Sequence, residues 1–182
     1  IFGVDIDVNA VEVTKLSLLL KCMEGETSAS IAHQLSMFHE RVLPTLDNNI
    51  KDGNSLVDTD FYSNELDFGF EKKVNPFNWL NAFPEVYKKG GFDVVIGNPP
   101  YFRIDADKPE STYLRTKYTT PEFKLDIYTL FIEKFVKEGF KKFGFIIPNT
   151  LLTNLTDRKL RKLLLEEINI AEIVNYRIKV FQ

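Results

Sequence analysis

GGFDVVIGNPPYFR, Gly90 to Arg103, is the stretch that decides the fold. Asp93 to Gly97 is typical of a buried strand in a parallel sheet, where strands are apolar on both faces. An asparagine, two prolines and a tyrosine follow at once, as Asn98-Pro99-Pro100-Tyr101. Taken alone, this corner is compatible with an ordinary strand-ending turn as well as with a catalytic role.

Apolar strands alternate with helices along the rest of the chain. The predicted strands are 1–6 (IFGVDI), a short strand within 48–56 (NNIKDGNSL), 92–97 (FDVVIG), 143–148 (FGFIIP) and 171–176 (AEIVNY). The predicted helices are Ala10 to about Lys21, Thr27 to Leu43, one capped by Asp126 that ends near Gly139, and Thr156 to Glu167. This alternation predicts an α/β fold with a mostly parallel sheet covered on both sides.

The segments between these elements carry further expectations. Asn9 and Glu12 resemble a capping box that opens the first helix. Residues 58–89 predict irregular structure or short helices around packed aromatic side chains. Residues 102–124 predict a long polar loop, and a loop of that length in a compact domain is usually functional or mobile.

Composition limits the classes of function. The 182 residues suffice for one domain with a core, and 44% hydrophobic content argues against general disorder. A net charge of −3 gives no global field for nucleic acid, so local patches or other domains must supply phosphate contacts. Cys22, expected to be buried, and His33 and His39, expected on the surface, predict neither a disulfide nor a metal site. Without a long apolar run or a signal peptide, a cytoplasmic protein is expected.

Two other strand ends carry polar residues. In open α/β sheets the ligand lies beyond the carboxyl ends of the strands, where an acid accepts hydrogen bonds from ribose hydroxyls. Asp5 is a candidate for that role, whereas Asp7 is better interpreted as the cap of the next helix. Asp52-Gly53-Asn54 ends the second strand and, taken alone, is a turn.

The corner after the strand at 92–97 presents acceptors on a rigid backbone. Proline fixes φ and donates no hydrogen bond, and Asn98 adds a side-chain carbonyl oxygen. Two acceptors suit an amino group with two hydrogens, and the face of Tyr101 suits a planar ring. Gripping both hydrogens favours a tetrahedral nitrogen whose lone pair can attack a methyl group in line, so the predicted catalysis is orientation and electrostatics.

GNPPY, preceded by FDVVI, resembles the catalytic motif of amino-methyltransferases that use S-adenosylmethionine, especially DNA adenine methyltransferases. FGVDIDVNAVEVTKLSL resembles the second strand and helix of that family. NNIKDGNSLV and PFNWLNAFPEVYKKGGFDVVIGNPPY resemble the methyltransferases of type IIG restriction-modification enzymes and related phage-defence systems. KLDIYTLFIEKFVKEG, GFIIPNTLLT and IVNYRIKVFQ are similar to the later motifs in the same order. The resemblance covers nearly the whole chain.

The resemblance implies a role for each matching residue. Asp5 would bind the ribose hydroxyls of S-adenosyl-L-methionine, and Ile6 would lie against its adenine. Asp52 would bind the amino group of that adenine, with Gly53 beside it. The catalytic motif comprises Asn98, Pro99, Pro100 and Tyr101. In it, Asn98 and Pro99 would hold the target amine, and Tyr101 would stack on an adenine flipped out of double-stranded DNA.

The resemblance also implies what this chain lacks. A Rossmann-like methyltransferase fold would have its first strand and glycine-rich loop before Ile1, and a target-recognition domain after Gln182. Residues 1–182 are therefore expected to be a partial catalytic domain, without its first and last strands, that binds the cofactor weakly or not at all. The longer protein would belong to a restriction-modification or phage-defence system.

Other interpretations remain open. The same tetrapeptide occurs in glutamine and RNA amino-methyltransferases, and a non-catalytic scaffold of a restriction complex is an alternative of another class. A nicotinamide-dependent dehydrogenase would leave the corner at Asn98 unexplained. Ile127 and Tyr128 are expected in the helical core rather than lining a pocket. Among the basic residues, Arg103, Arg115 and Lys117 are preferred as phosphate contacts, whereas the remaining candidates predict a solvated helix face: Arg158, Lys159, Arg161 and Lys162.

Overall fold

The computed structural model describes residues 1–27, 45–64 and 74–176. The helix predicted from Thr27 to Leu43 falls, apart from its first residue, outside these ranges, as do both histidines. The chain divides into two compact units, Ile1–Pro84 and Glu85–Gln182. Each unit is a mixture of short helices and a parallel pair of strands, so the α/β class is confirmed.

The regular elements are short. The strands are β1 (Gly3–Asp5), β2 (Ile50–Asp52), β3 (Val95–Gly97) and β4 (Phe143–Phe145). The α-helices are α1 (Val8–Met23), α2 (Trp79–Ala82), α3 (Pro84–Lys88), α4 (Pro109–Lys117), α5 (Ile127–Lys137) and α6 (Arg158–Glu167). Short 3₁₀ helices cover Thr59–Asn64, Asn149–Leu152 and Leu155–Asp157.

In the first unit, β1 and β2 pair in parallel with α1 between them in the chain. The cap of α1 is Asp7, whose carboxylate accepts the Asn9 backbone N–H at 2.8 Å. The predicted cap at Asn9 was therefore wrong by two residues, because the short Asp7 side chain already satisfies that orphan N–H. Cys22, expected inside, is exposed.

The aromatic residues predicted to pack between 58 and 89 form a cluster in this unit. Phe77, Trp79 and Phe83 contact one another with ring centroids 5.4 to 5.9 Å apart, and Phe2 meets Phe83 at 5.3 Å. Such tilted and edge-to-face contacts add to the burial of the rings. The cluster anchors the chain that follows β2.

In the second unit, β3 pairs in parallel with β4, Val95 opposite Phe143 and Gly97 opposite Phe145. Helices α5 and α6 cover one face of this pair, where the buried core comprises Tyr128, Ile132, Val136, Leu151 and Leu160, with Phe143 and Phe145 packed against it. Ile127 and Tyr128 are buried, so their assignment to the helical core is confirmed.

Two predictions about this unit were wrong. The segment 102–124 is not a structureless loop, because α4 occupies its middle and Leu114 is fully buried. Pro109 at the first helical turn with Glu110 beside it was the available signal. The strand predicted at Ala171–Tyr176 is absent, since these residues have no regular structure and are exposed. An apolar run becomes a strand only where a neighbouring strand accepts its hydrogen bonds.

Glu133 on α5 fastens the chain between α4 and α5. Its side chain is 0% exposed and accepts hydrogen bonds from the backbone N–H and hydroxyl groups of Thr119 and Thr120, at 2.5 to 2.9 Å. Lys137 pairs with it at 2.5 Å. Burial is the largest influence and acts to raise the pKa of Glu133, but these hydrogen bonds together hold the pKa below its usual value.

Candidate active site

The first group of predicted site residues lies at the carboxyl end of β1 and β2. Asp5 and Asp52 are direct register partners there, and the Gly53 N–H donates to the Asp5 carbonyl oxygen at 2.8 Å. Asp5 Oδ1 accepts the Asp7 N–H at 2.8 Å, and Asp52 Oδ2 accepts Asn75 Nδ2 at 3.0 Å. In each carboxylate one oxygen accepts a hydrogen bond from the protein, and both residues are exposed. This end can therefore accept hydrogen bonds from a ligand.

Gly53 is required by the space behind these acids. A Cβ at this position would lie 2.5 Å from Phe77 Cδ2 and 2.8 Å from Phe77 Cβ. Because Phe77 belongs to the aromatic cluster, neither atom has room to move away. Ile6, next to Asp5, is 58% exposed and presents an apolar surface at the same strand end.

The second group is the corner at the end of β3. Pro99 is buried, whereas Asn98, Pro100 and Tyr101 are exposed. The Tyr101 hydroxyl lies 2.9 Å from Asn98 Oδ1 and 2.9 Å from the Ile146 carbonyl oxygen. Its one proton can be donated to either acceptor. Burial raises the pKa of Tyr101, so the hydroxyl keeps this proton at neutral pH.

The backbone of Ile146 holds the corner against the end of β4. Its N–H donates to the Gly97 carbonyl oxygen at 3.2 Å, and its carbonyl oxygen faces the Tyr101 hydroxyl. A Cβ on Gly97 would lie 2.8 Å from Phe145 Cε1, so this position too is closely packed. Ile146 acts through its backbone, which no side-chain pattern could have indicated.

The chain leaving the corner is fixed to the start of α5. Arg103 Nε donates to Asp126 Oδ1 at 2.8 Å. The Ile104 N–H donates to the Leu125 carbonyl oxygen at 3.0 Å, and the Ile127 N–H donates to the Phe102 carbonyl oxygen at 3.2 Å. Asp126 does stand at the N-cap position as predicted, but its side chain makes no capping hydrogen bond. Its carboxylate binds Arg103 instead.

Two buried polar groups lie beneath this region. The Tyr128 hydroxyl donates to Asp157 Oδ2 at 3.0 Å. Burial is the main cause that raises the pKa of Tyr128 to about 12, and burial likewise raises the pKa of Asp157. Arg161 donates to the carbonyl oxygens of Leu151 and Asn154 at 2.8 and 2.6 Å. Arg161 is thus a structural residue rather than part of a solvated face.

Three other basic candidates contact an aromatic ring or an acidic side chain. Lys117 lies over the Tyr113 ring at 5.6 Å, within α4. Lys159 and Lys162 pair with Glu122 and Glu166, each at 3.7 Å.

The structure thus assembles Asp5, Asp52 and Gly53 at one strand end and the residues from Asn98 to Tyr101 at another. These two groups belong to different units of the chain.

Comparison with known proteins identifies the class of this chain. A profile of the Eco57I restriction-modification methylases matches residues 1–181. The chain therefore belongs to the Eco57I restriction-modification methylase family.

Two relatives extend this result. The chain is 32% identical, over 97% of its length, to the type II restriction enzyme and methyltransferase RM.Eco57I of Escherichia coli. It is 36% identical, over 60% of its length, to RM.MjaORFECS2P of Methanocaldococcus jannaschii, whose name assigns it to the same class. The chain spans 17% and 9% of these two relatives. No solved structure matches the chain. No helix in the described ranges is long and apolar enough to cross a membrane.

Proposed function

We propose that this chain is the catalytic part of a site-specific DNA adenine methyltransferase that uses S-adenosyl-L-methionine, within a longer restriction-modification enzyme. The product would be an adenine methylated on its exocyclic amino group. The observation that carries this proposal is the corner at Asn98, where a side-chain oxygen is held in place at the carboxyl end of β3. Family membership supports the restriction-modification setting.

Asn98 and Pro99 would hold the target amine. The lone pair of an exocyclic amine is delocalised into the ring, so the nitrogen is a poor nucleophile. Asn98 Oδ1 and the Pro99 carbonyl oxygen would each accept one amine hydrogen, which favours a tetrahedral nitrogen with its lone pair on one side. Proline cannot relax through φ, so Pro99 and Pro100 would keep these acceptors preorganised.

Tyr101 would stack on the adenine once that base has left the duplex, a step that costs a few kcal/mol. Tyr101 is 45% exposed, so a base can reach it, while its hydroxyl lies within hydrogen-bond distance of Asn98 Oδ1 and the Ile146 carbonyl oxygen. Tyr101 would then orient Asn98 Oδ1 through its hydroxyl and support the target adenine through its ring. Stacking of a base on an aromatic side chain contributes about 1–3 kcal/mol.

The end of β1 and β2 would bind the cofactor, which supplies an electrophilic methyl group when bound. Asp5 would accept hydrogen bonds from the ribose hydroxyls, Asp52 would accept one from the adenine amino group, and Ile6 would contact the adenine ring. Two neighbouring exposed carboxylates with an exposed apolar side chain beside them fit these donors and this ring. Gly53, which has no side chain, would let the backbone lie close to the bound cofactor.

The finer fold and domain assignments belong to the same proposal. Two parallel strand pairs with helical connections support a Rossmann-like methyltransferase fold, of which residues 1–182 would be a part. We propose that a first strand with its glycine-rich loop, a last strand and a target-recognition domain lie elsewhere in the longer enzyme. Isolated, this chain would bind the cofactor weakly and transfer no methyl group.

Calorimetry and methyl transfer test the proposal. S-adenosylmethionine is titrated into this chain and into the full-length enzyme, and tritiated methyl transfer is measured on duplex DNA. We expect binding and transfer by the full-length enzyme, with methylated adenine in the digested product. Transfer into RNA or a release-factor glutamine, but not DNA, would reverse the substrate assignment. Absence of cofactor binding by the full-length enzyme would refute the cofactor assignment and favour a scaffold role.

A further inference from the structure

The segment that leaves the catalytic corner is held by a short, well-formed clasp. Arg103 and Asp126 form an antiparallel bridge, flanked by the backbone hydrogen bonds of Ile104 to Leu125 and of Ile127 to Phe102. The side chains repeat the connection, with Arg103 Nε 2.8 Å from Asp126 Oδ1. Backbone and side chain together therefore fix the position of residue 103.

The far side of this clasp is rigid. Asp126 is 9% exposed, and its neighbours Leu125 and Ile127 are buried with Leu130 in the helical core. The Asp126 side chain makes no capping hydrogen bond to α5, and its carboxylate accepts a hydrogen bond from Arg103 instead. A charge-assisted hydrogen bond is shorter and about twice as strong as a hydrogen bond between neutral groups. Arg103 thus binds to an element that cannot easily shift.

The near side of the clasp is the corner itself. Tyr101 stands two residues before Arg103, and its hydroxyl contacts Asn98 Oδ1. Pro99 and Pro100 have fixed φ, so little backbone freedom separates the clasp from Asn98. A displacement at Arg103 would pass to Tyr101 and from there to the amide of Asn98. Misplacement of a reacting group by about 1 Å can cost about 100-fold in rate.

We propose that Arg103 and Asp126 form a positioning pair that holds the Asn98–Tyr101 corner in its active geometry. The inference rests on the proposed methyltransferase function of that corner. It competes with the interpretation of Arg103 as a contact to a DNA phosphate, because the Asp126 carboxylate already accepts the hydrogen bond of Arg103 Nε. Neither residue touches the reacting atoms, so both act through the corner.

Matched substitutions in the full-length enzyme separate the two interpretations. Arg103→Ala removes the donor, Asp126→Asn removes the charge but keeps the size and capping ability, and the double variant removes both. Lys141→Ala is the control, since Lys141 pairs with Asp93 at 3.4 Å on an exposed surface near the start of β4. Single-turnover methyl transfer, KM for DNA and the salt dependence of DNA binding are measured for each variant.

A positioning pair predicts a loss of about 10-fold in the methyl-transfer rate for Arg103→Ala and for Asp126→Asn, with the double variant no worse than either, since coupled residues are non-additive. KM for DNA and the salt slope would match the wild-type values. Chemical denaturation verifies that each variant is folded, and Asp126→Asn, the milder change, remains informative if Arg103→Ala unfolds.

A phosphate contact predicts a different pattern. Arg103→Ala would weaken DNA binding and reduce the slope of log affinity against log salt by about 1, and Asp126→Asn would leave the rate unchanged or tighten DNA binding. That outcome overturns the positioning pair while the methyltransferase function stands. If the wild-type full-length enzyme binds the cofactor but methylates no DNA, the proposed function fails and the inference fails with it.

Discussion

The two strand ends that carry the candidate site residues differ in which groups hold their side chains. At the end of β1 and β2, Asp5 and Asp52 stand side by side and are contacted by Asp7 and Asn75. At the end of β3, the backbone N–H and carbonyl oxygen of Ile146 contact both sides of the corner, and Tyr101 contacts Asn98. Binding a ligand through several hydrogen bonds tolerates small displacements of the binding groups, whereas orienting one nitrogen for attack does not.

The largest effect on the methyl-transfer rate is expected when the corner at Asn98 is altered. Asn98→Ala removes one of the two acceptors proposed for the target amine, and by analogy with losing a preorganised transition-state hydrogen bond we expect about a 100- to 1,000-fold fall in the methyl-transfer rate. Cofactor affinity would stay within about twofold of the wild-type value, because Asn98 is not among the residues proposed to bind the cofactor. Single-turnover transfer and calorimetry on the full-length enzyme measure both.

Asn81→Ala is the matched control, because Asn81 is an exposed asparagine in the first unit. An Asn98→Ala enzyme as fast as the control would contradict the assigned role of the amide oxygen. An equal loss of cofactor affinity and rate would show instead that the two strand ends are not functionally separate.

The next largest effect is expected on the stability of the second unit, at Glu133. Glu133→Ala removes a buried carboxylate that accepts hydrogen bonds from Thr119 and Thr120, and it leaves their N–H groups without this partner. Removing one member of a buried charged network lowers the free energy of unfolding by about 3–5 kcal/mol. Because Lys137 is partly exposed, we expect a loss at the lower end of that range. Chemical denaturation of the variant measures the loss, and a loss below about 1 kcal/mol would contradict it.

The same residue gives the unit a pH dependence of known sign. The pKa of folded Glu133 is lowered from 4.5, so its contribution is fully present above that value and is lost as the pH falls through the folded pKa. Thermal unfolding between neutral and acidic pH should therefore show a smaller acid-induced decrease for Glu133→Gln than for the wild type. Asp157→Asn is a control of opposite sign, since the pKa of folded Asp157 is raised.

A third change tests the strand end that carries Asp5 and Asp52. Gly53→Ala places a Cβ 2.5 Å from Phe77 Cδ2, so β2 or the aromatic cluster must shift, at a cost of about 1–3 kcal/mol. Cofactor affinity would fall with it, because Asp52 moves with the strand. Gly144→Ala is the control, since a Cβ there meets no atom within 4 Å. Equal stability of the two variants, by denaturation, would contradict the packing argument.

The fold was predictable where the signal was local. Apolar runs predicted β1, β3 and β4, and the turn at Asp52-Gly53 marked the end of β2; the three apolar strands are shorter than their runs because only part of each run finds a pairing neighbour. Ala171–Tyr176 has the same composition and no partner in the described residues, so it was predicted wrongly. The rule that ligands lie at the carboxyl ends of parallel strands was enough to select Asp5, whereas Asp52 was assigned a role only through the family resemblance. The two residues prove to be register partners.

The rest depended on contacts between residues distant in sequence. Arg103 and Asp126 are separated by 23 positions, and neither has a local pattern that indicates the other. Asp126 was correctly placed at the N-cap position, but the pairing of its side chain with Arg103 is set by tertiary packing. The same holds for Ile146, whose contribution is a backbone carbonyl group. The functional roles of Asn98 and Tyr101 stay predictions until the variants are measured.

The smallest expected effect separates the two roles of Tyr101. Tyr101→Phe keeps the ring that would stack on the target base and removes the hydroxyl that lies 2.9 Å from Asn98 Oδ1. A lost hydrogen bond of this kind contributes about 1 kcal/mol, so the methyl-transfer rate should fall about fivefold while KM for DNA stays unchanged. Tyr101→Ala also removes the stacking surface and should raise KM. If both variants lower the rate equally at unchanged KM, the ring is not a stacking surface. If Tyr101→Phe matches the wild type, the amide of Asn98 is held by the corner backbone alone, and the rigidity of this strand end comes from Pro99 and Pro100.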